Sequence, residues 1–359
     1  MRSLKRLGAL KKLAFTENSF DGYLICNNSN LFYFLGFSGA SALLVPENGE
    51  STIYVYGVNY EQARAASKGF AVELVKRGED LMSKIVQRTN ERGVKNLAFD
   101  TLGIESWHNL TKLTKGKTTI KIKPDLVFKL RAVKDETEIE LIRKACELTS
   151  EGMKTAYEVL SLGKRECEVA AEIEYAMRKR GSYGTSFDTA VSSGASSAFP
   201  HGGCSDRKIC AGDLVVIDFG AIYKAYCSDM TRTLVPGKPS EKQQKLHEIV
   251  RKAQEKAYAA IKPNAKTSDV DAVARRVIEQ AGYGDYFVHG LGHGVGLDIH
   301  EPPTLNPASN ERLQAGNVIT NEPGIYIPSY GGVRIEDTIL VTKNGAEKLT
   351  KGFYRMGLE

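Results

Sequence analysis

Four carboxylates stand inside runs of apolar and β-branched residues: Asp218 in VVIDFG, Asp229 in CSDMTRT, Glu322 in ITNEPG and Glu336 in VRIEDT. An ionised carboxylate is costly in such surroundings unless it is paired or coordinated, so the fold must bring compensation to all of them. A hairpin over VVIDFGAIYKAYCSDMTRT that turns between Tyr223 and Lys224 sets Asp218 and Asp229 directly opposite one another. Glu322 and Glu336 bracket a second turn, IPSYGG, in nearly the same symmetrical way. Two hairpins would then each bring a pair of acids to one place. Surface acids paired with Arg232, Arg334 or lysines explain any one of them, but explain all four together poorly.

Clustered carboxylates raise one another's pKa unless a multivalent cation offsets them, and the economical cation is a pair of divalent metal ions. Four of the chain's six histidines fall in two short segments, FPHGG with His201 and HGLGHGVGLDIHE with His289, His293 and His300. Gly290, Gly292, Gly294 and Gly296 strip side chains from both sides of His293, which suits a ligand presented where backbones approach closely. One imidazole with four carboxylates is a hard, oxygen-rich donor set, suited to Mn, Co, Fe or Zn rather than to a thiolate zinc site. Two such ions sharing a water lower its pKa and polarise the carbonyl it attacks, which is the chemistry of amide hydrolysis. His108 and His247, in helix-like surroundings, read as ordinary core or surface histidines.

The rest of the chain is that of a soluble protein. It has 359 residues, a net charge of +6, 42% hydrophobic and 26% charged side chains, enough for about two domains with their own cores. Basic residues are interspersed with acidic ones, so no stripe tracks a phosphate backbone and nucleic acid is not expected as a partner. The six cysteines lack CxxC pairs and read as reduced thiols of a cytoplasmic protein. The opening MRSLKRLGALKKLAF is broken by Lys11 and Lys12 and does not read as a leader, and no apolar run approaches the roughly 20 residues a membrane span needs.

From Asp21 to about Asp125, β-like runs (YLICNN, LFYFLGF, SALLVPE, TIYVYG, AVELVK, NLAFD) alternate with helix-like stretches such as EQARAASKG and DLMSKIVQRTNERG. Beyond Pro124, Ile139, Ile142, Cys146, Thr149, Met153, Ala156 and Leu160 recur at helical spacing along one amphipathic face. A second helix ends at Gly181, and two more are expected around 240–262 and 267–281. The reading is an α+β protein with an N-terminal α/β domain over 1–127 and a second domain over 133–359.

HGLGHGVGLDIHE, with VVIDFG, SDMTRT, NEPGIY and GGVRIEDT, resembles the proline-specific peptidases of the pita-bread metallopeptidase family, the Xaa-Pro dipeptidases (prolidases) and aminopeptidases P. The resemblance covers the chain from about residue 133 to its end, and the N-terminal domain is similar to that family's accessory domain. It implies a curved antiparallel sheet covered by helices, with two divalent metal ions per subunit on its concave face, and a homodimer. Asp218, Asp229, His293, Glu322 and Glu336 match the five metal-ligand positions. By the same resemblance Asp229 and Glu336 bridge both ions, Asp218 chelates one, and His293 with Glu322 holds the other. Glu322 is then the general base, while His201 and His300 stabilise the tetrahedral intermediate and assist proton transfer to the leaving nitrogen. Arg334 orients a ligand carboxylate from behind. Phe187 and Ile299 provide an apolar wall for the proline ring.

The implied substrates are small peptides with proline at the second position. An Xaa-Pro dipeptidase is preferred over an Xaa-Pro aminopeptidase acting on longer peptides. Against the first stands Thr304, at the place where some dipeptidases carry an arginine for the substrate's free carboxylate. Methionine aminopeptidases share the five ligands but often lack a full accessory domain. A non-catalytic peptide-binding protein on the same scaffold, or a metal-free hydrolase similar to creatinase, is disfavoured because such relatives tend to lose ligands that this chain keeps.

Overall fold

A computed structural model describes residues 2–358 and divides the chain into two compact units, Met1–Arg131 and Ala132–Glu359. The chain is α+β. In the first unit, strands β1 (Gly22–Ile25), β2 (Ala42–Pro46), β3 (Thr52–Tyr56), β4 (Ala71–Val75), β5 (Asn96–Phe99) and β6 (Thr119–Ile122) form one sheet in the order β4-β3-β2-β1-β5-β6. Only β2 runs antiparallel to its neighbours. Helices α1 (Arg2–Lys11), α2 (Asn28–Leu35), α3 (Tyr60–Ala66), α4 (Leu81–Glu91), α5 (Ile104–Thr114) and α6 (Asp125–Ala132) complete the α/β pattern. Ile85 and Leu110, from α4 and α5, pack on Leu24, Leu44, Leu97 and Phe99 of the sheet.

One expectation fails here: LFYFLGF, read as strand, lies mostly in α2. Asn27 caps that helix by accepting from the Asn30 amide, and Gly36, at φ +76°, ends it in the left-handed conformation. Leu31, Tyr33, Phe34 and Leu35 are all buried, so the unbroken apolar and aromatic run that ends this short helix imitates that of an interior strand.

In the second unit two helix pairs each cover a sheet. Helix α7 (Glu136–Val159) starts in a capping box between Asp135 and Glu138, and α8 (Glu166–Lys179) follows it. Met153 and Ala156 of α7, with Ile173 and Met177 of α8, pack on Val191, Ile217, Phe219 and Leu234. Helix α9 (Glu241–Ala260), capped by Ser240 and Gln243, and α10 (Thr267–Gln280) pack Val250, Ala253 and Ala274 on Ile319, Ile325, Val333 and Ile339.

The strands between them are β7 (Gly184–Thr185), β8 (Ala190–Ser193), β9 (Val215–Phe219), β10 (Ala221–Tyr223), β11 (Tyr226–Cys227), β12 (Met230–Pro236), β13 (Gly292–Gly294), β14 (Glu301–Leu305), β15 (Val318–Asn321), β16 (Gly324–Ile327), β17 (Gly331–Arg334), β18 (Asp337–Thr342), β19 (Gly345–Lys348) and β20 (Gly357–Leu358). They form sheets β20-β12-β9-β8 and β14-β13-β15-β18-β19, a small sheet β11-β10-β7 and the hairpin β16-β17. Every pairing is antiparallel except β12 with β20.

The first acid-bearing hairpin exists with a shifted register. It turns at Lys224 and Ala225, both at positive φ, and pairs Asp218 with Thr231. Asp229 is therefore not opposite Asp218 but two places along β12's approach. Because side chains alternate with period two, that shift keeps both acids on one face. The second is one long hairpin: β16 pairs β17 and β15 pairs β18 in a single continuing register, interrupted between Gly324↔Arg334 and Asn321↔Asp337. Glu322 and Glu336 both occupy that interruption.

Strand β13 runs between β14 and β15 so closely that a Cβ on Gly292 would overlap the Thr320 carbonyl, and one on Gly294 the carbonyls of Glu301 and Pro302. Gly292→Ala is expected to lower unfolding stability by about 1–3 kcal/mol through overpacking. Gly8→Ala in α1, where the new methyl meets open space, should instead be neutral or stabilise by up to about 1 kcal/mol. Denaturant titration of both variants checks the opposite signs.

Candidate active site

The interrupted hairpins and β13 face a cavity of about 590 Å³ in the second unit. Its lining includes Asp218, Asp229, His293, Glu322 and Glu336, together with Phe187, His201, Ile299, His300, Thr304 and Arg334. Every site residue singled out from the sequence thus lies on this one cavity. Asp218 projects from β9, His293 from the middle of β13, and Asp229, Glu322 and Glu336 from the breaks between strands. Cys227 is buried in β11 and is not among the residues lining the cavity.

The donor atoms converge. His293 Nε2 lies 3.3 Å from Glu322 Oε1 and 3.7 Å from Asp229 Oδ2. Asp229, His293 and Glu336 each offer one ligand atom within 4.8 Å of the others. Thr320 Oγ1 donates to Glu322 Oε1 at 3.0 Å and accepts from the His293 amide at 3.0 Å, tying β13 to β15 at the ligand positions. The rings of His293 and His300 stand edge to face, centroids 4.2 Å apart.

Arg334 is the cation of the cavity wall. Its Nη2 donates to Asp218 Oδ2 at 2.5 Å, its Nη1 to Tyr326 OH at 2.8 Å, and its Nε to Thr231 Oγ1 at 3.0 Å. Thr231 Oγ1 in turn donates to Glu336 Oε2 at 2.5 Å. One guanidinium thereby holds Asp218 directly and Glu336 through a hydroxyl. His289 Nε2 lies 2.9 Å from Tyr326 OH, extending the chain of contacts to the next histidine.

These partners do not satisfy the acids. Among the described residues, Asp218 Oδ1, Asp229 Oδ1 and Glu336 Oε1 are buried with no hydrogen-bond partner. Burial, reinforced by the neighbouring carboxylates, pushes the Asp229 and Glu336 carboxyls well above the usual range. Burial would also raise Glu322, but the hydrogen bond and charge of His293 hold it below its ordinary value. The same contact raises His293 against the lowering effect of its own burial. His300 is lowered by burial and then by the charge of His293.

Asp337, the residue after Glu336, shows what an ordinary buried carboxylate receives. It accepts from Arg232 Nη2 at 2.9 Å, Thr350 Oγ1 at 3.0 Å, Gln254 Nε2 at 2.6 Å and Tyr354 OH at 2.6 Å. Burial notwithstanding, Arg232 and Lys348 hold its pKa below normal. Neighbours in sequence and alike in burial, Asp337 is fully compensated and Glu336 is not. Orphaned, mutually repelling oxygens beside an imidazole are a donor set that fits hard divalent cations.

Tyr326 and Thr231 had no sequence signal pointing to them. His289 stood in the glycine-rich segment without a role, and the cavity adds it to the wall.

With this geometry in place, comparison with known proteins places the chain. Residues 140–343 match metallopeptidase family M24, and residues 6–133 match the creatinase/prolidase N-terminal domain. The chain belongs to family M24. It is 45% identical over 336 residues to an Xaa-Pro dipeptidase of Pyrococcus furiosus, covering 93% of this chain and 94% of that one. The crystal structure of the prolidase from Pyrococcus horikoshii superposes with a TM-score of 0.91 at 41% identity, covering 97% and 99% of the two chains. An X-Pro aminopeptidase from Thermotoga maritima superposes at 0.86 with 34% identity, covering 99% of each. M24 membership makes the protein a metallopeptidase of pita-bread fold and divalent metal ions its class of cofactor.

The raised carboxyls have a thermodynamic consequence. A group that holds its proton more tightly when folded lowers stability as pH climbs from its unfolded pKa, about 4 for Asp, toward its folded one. In chelator-treated protein, Asp229→Asn should therefore gain thermal stability relative to the parent as pH rises from 4 to 8. Added Mn should raise the parent's melting temperature more than the variant's. A gap that narrows with rising pH would contradict the charge argument.

Proposed function

We propose that the protein is a dinuclear-metal exopeptidase that hydrolyses Xaa-Pro bonds, and in the first place an Xaa-Pro dipeptidase. The carrying observation is the trio of partnerless buried oxygens on Asp218, Asp229 and Glu336, facing His293 and Glu322 in a cavity that also holds His201 and His300. The names of the Pyrococcus relatives support the choice of substrate. Asp229 and Glu336 would contact both of two ions, Asp218 one, and His293 with Glu322 the other. The hard donor set suits Mn, Co, Fe or Zn. When bound, such ions acidify a water and polarise the scissile carbonyl.

The chain's own residues supply the remaining chemistry. Glu322, whose depressed pKa keeps it ionised, takes the proton of the attacking water at its carboxylate. His201 and His300 line the cavity beside it, donate to the oxygen on which negative charge develops, and assist as the proton taken up by Glu322 is delivered to the departing proline nitrogen. A neutral His300, as its lowered pKa implies, carries one N–H, which serves as the donor to the developing oxyanion. Phe187 and Ile299 form the wall against which the ring packs, a tertiary amide offering no N–H to read. Arg334 keeps Asp218 in place. Six free cysteines support a cytoplasmic location, and a homodimer is the family's expectation. No helix among the described residues is long and apolar enough to cross a membrane.

One observation favours a second reading, an aminopeptidase P acting on longer peptides. Thr304 donates its amide, at 2.9 Å, and its hydroxyl, at 3.4 Å, to Glu311 Oε2. Arg334, the lysine-or-arginine member of the cavity lining, is already bonded to Asp218. A substrate's free carboxylate near Thr304 would therefore meet negative charge rather than a cation.

Proline release from Met-Pro, beside cleavage of Met-Pro-Gly, in Mn or Co and again after chelation, tests both readings. Metal-dependent turnover of the dipeptide supports the first, preference for the tripeptide the second, and silence on both overturns each. Asp229→Ala should lose bound metal and activity together. His300→Ala should retain its metal by elemental analysis while kcat falls by about 10²-fold or more.

A further inference from the structure

The structure assigns a positioning role to Glu166, a residue outside the cavity: its carboxylate clamps both ends of the segment that carries His201. Glu166 opens helix α8 and is 2% exposed. Its Oε1 accepts from the Ser193 amide at 2.7 Å and the Ser193 hydroxyl at 2.5 Å. Its Oε2 accepts from the Ser205 amide at 3.0 Å and the Ser205 hydroxyl at 2.6 Å. Ser193 ends β8 and Ser205 closes the excursion that follows, so one carboxylate spends all its acceptor positions on the two feet of a single loop.

Between those feet lie the 3₁₀ turn Gly194–Ala198 and then Phe199, Pro200 and His201. Pro200 and His201 line the cavity, and the loop is exposed at Ala195, Phe199, His201, Gly202 and Cys204 but buried at Gly194 and Ser197. Two backbone bonds repeat the clamp: the Glu166 amide donates to the Arg207 carbonyl and the Cys167 amide to the Ser205 carbonyl, each at 3.1 Å. Arg207 Nη1 donates to Ser193 Oγ at 2.5 Å while paired with Asp213. On the cavity side, a further hold is the Arg334 Nη1 bond to the Pro200 carbonyl, at 3.3 Å. Charge-assisted bonds at the base of an exposed loop restrict where its imidazole can sit, and a displacement of about 1 Å at such a group can cost up to about 10²-fold in rate.

This inference rests on the participation of His201 in Xaa-Pro hydrolysis. Glu166→Gln keeps the shape but turns one oxygen into an amide donor that faces two other donors, which releases one foot of the loop. In the metal-loaded full-length protein, kcat on the better peptide substrate should fall about tenfold with metal content unchanged. Amide hydrogen exchange should accelerate within 194–204 and not across the remainder of the unit. Ser205→Ala, which deletes a single donor, should do the same to a smaller degree and serves if Glu166→Gln folds poorly. A purely structural role would lower kcat equally in any background. A positioning role predicts that Glu166→Gln changes kcat less than about twofold once His201 is already alanine. Additive losses, or unchanged exchange in the loop, would overturn the clamp while leaving the peptidase reading intact. Full turnover by His201→Ala would likewise overturn the clamp alone, whereas absence of Xaa-Pro turnover in the parent would overturn both.

Discussion

Everything in the second unit is arranged around negative charge that the protein does not itself neutralise. Asp218, Asp229, Glu322 and Glu336 converge on one cavity whose lining carries one permanent cation, Arg334, beside histidines that are charged only when protonated. Two like charges 4 Å apart repel by about 4 kcal/mol at an effective dielectric of 20, and desolvation adds to this. Such a cluster persists in either of two ways: carboxyls retain protons, or cations enter. The raised Asp229 and Glu336 carboxyls describe the first condition, and the divalent ions of an M24 metallopeptidase, bound here, would provide the second.

The repulsion has to be resisted by the frame. Behind Glu336, Arg232 donates Nη1 to the Glu336 carbonyl at 2.6 Å and to the Thr231 carbonyl at 2.9 Å, and Nε to the Phe353 carbonyl at 2.9 Å. The same guanidinium is paired with Asp337, so the fully compensated acid anchors the strand that presents the uncompensated one. Across the cavity, Thr320 fixes both His293 and Glu322. Breaks in pairing at Glu322 and Glu336 free those residues from ladder geometry, while β15-β18 and β16-β17 hold the register on either side. Presentation of the donors is thus local, and rigidity is borrowed from the strands that flank them.

Much of this was legible in the sequence because burying charge leaves a mark in composition. An acid within an apolar β-branched run is visible without coordinates, as are glycines packed around a histidine, and these pointed to one cavity. Turn geometry was less legible. Counting outward from a guessed turn set Asp218 against Asp229, whereas two consecutive left-handed residues, Lys224 and Ala225, move the turn one place and the pairing two. Neither residue is of the type that announces such a turn. LFYFLGF misled for a different reason: the last five residues of that helix, Leu31 to Leu35, are all apolar or aromatic, so no polar position reveals its period. Tyr326 and Thr231 act through a single hydroxyl each, and a hydroxyl has no pattern to be read.

The proposed roles divide the cavity by how each residue is carried. The five candidate ligands sit on or between paired strands, where a shift of one residue would turn every side chain to the other face. The two candidate catalytic histidines sit instead beside buried, fully engaged carboxylates. His201 lies on the loop gripped by Glu166. His300 immediately precedes Glu301, whose carboxylate meets Lys134 Nζ at 2.7 Å with both side chains 1% exposed. A buried ion pair adds little net stability compared with apolar packing but penalises any arrangement that separates its charges. That penalty is suited to groups that must move protons without moving themselves: ligands are held by the cations they bind, and histidines that bind none need their fixed points supplied by the protein.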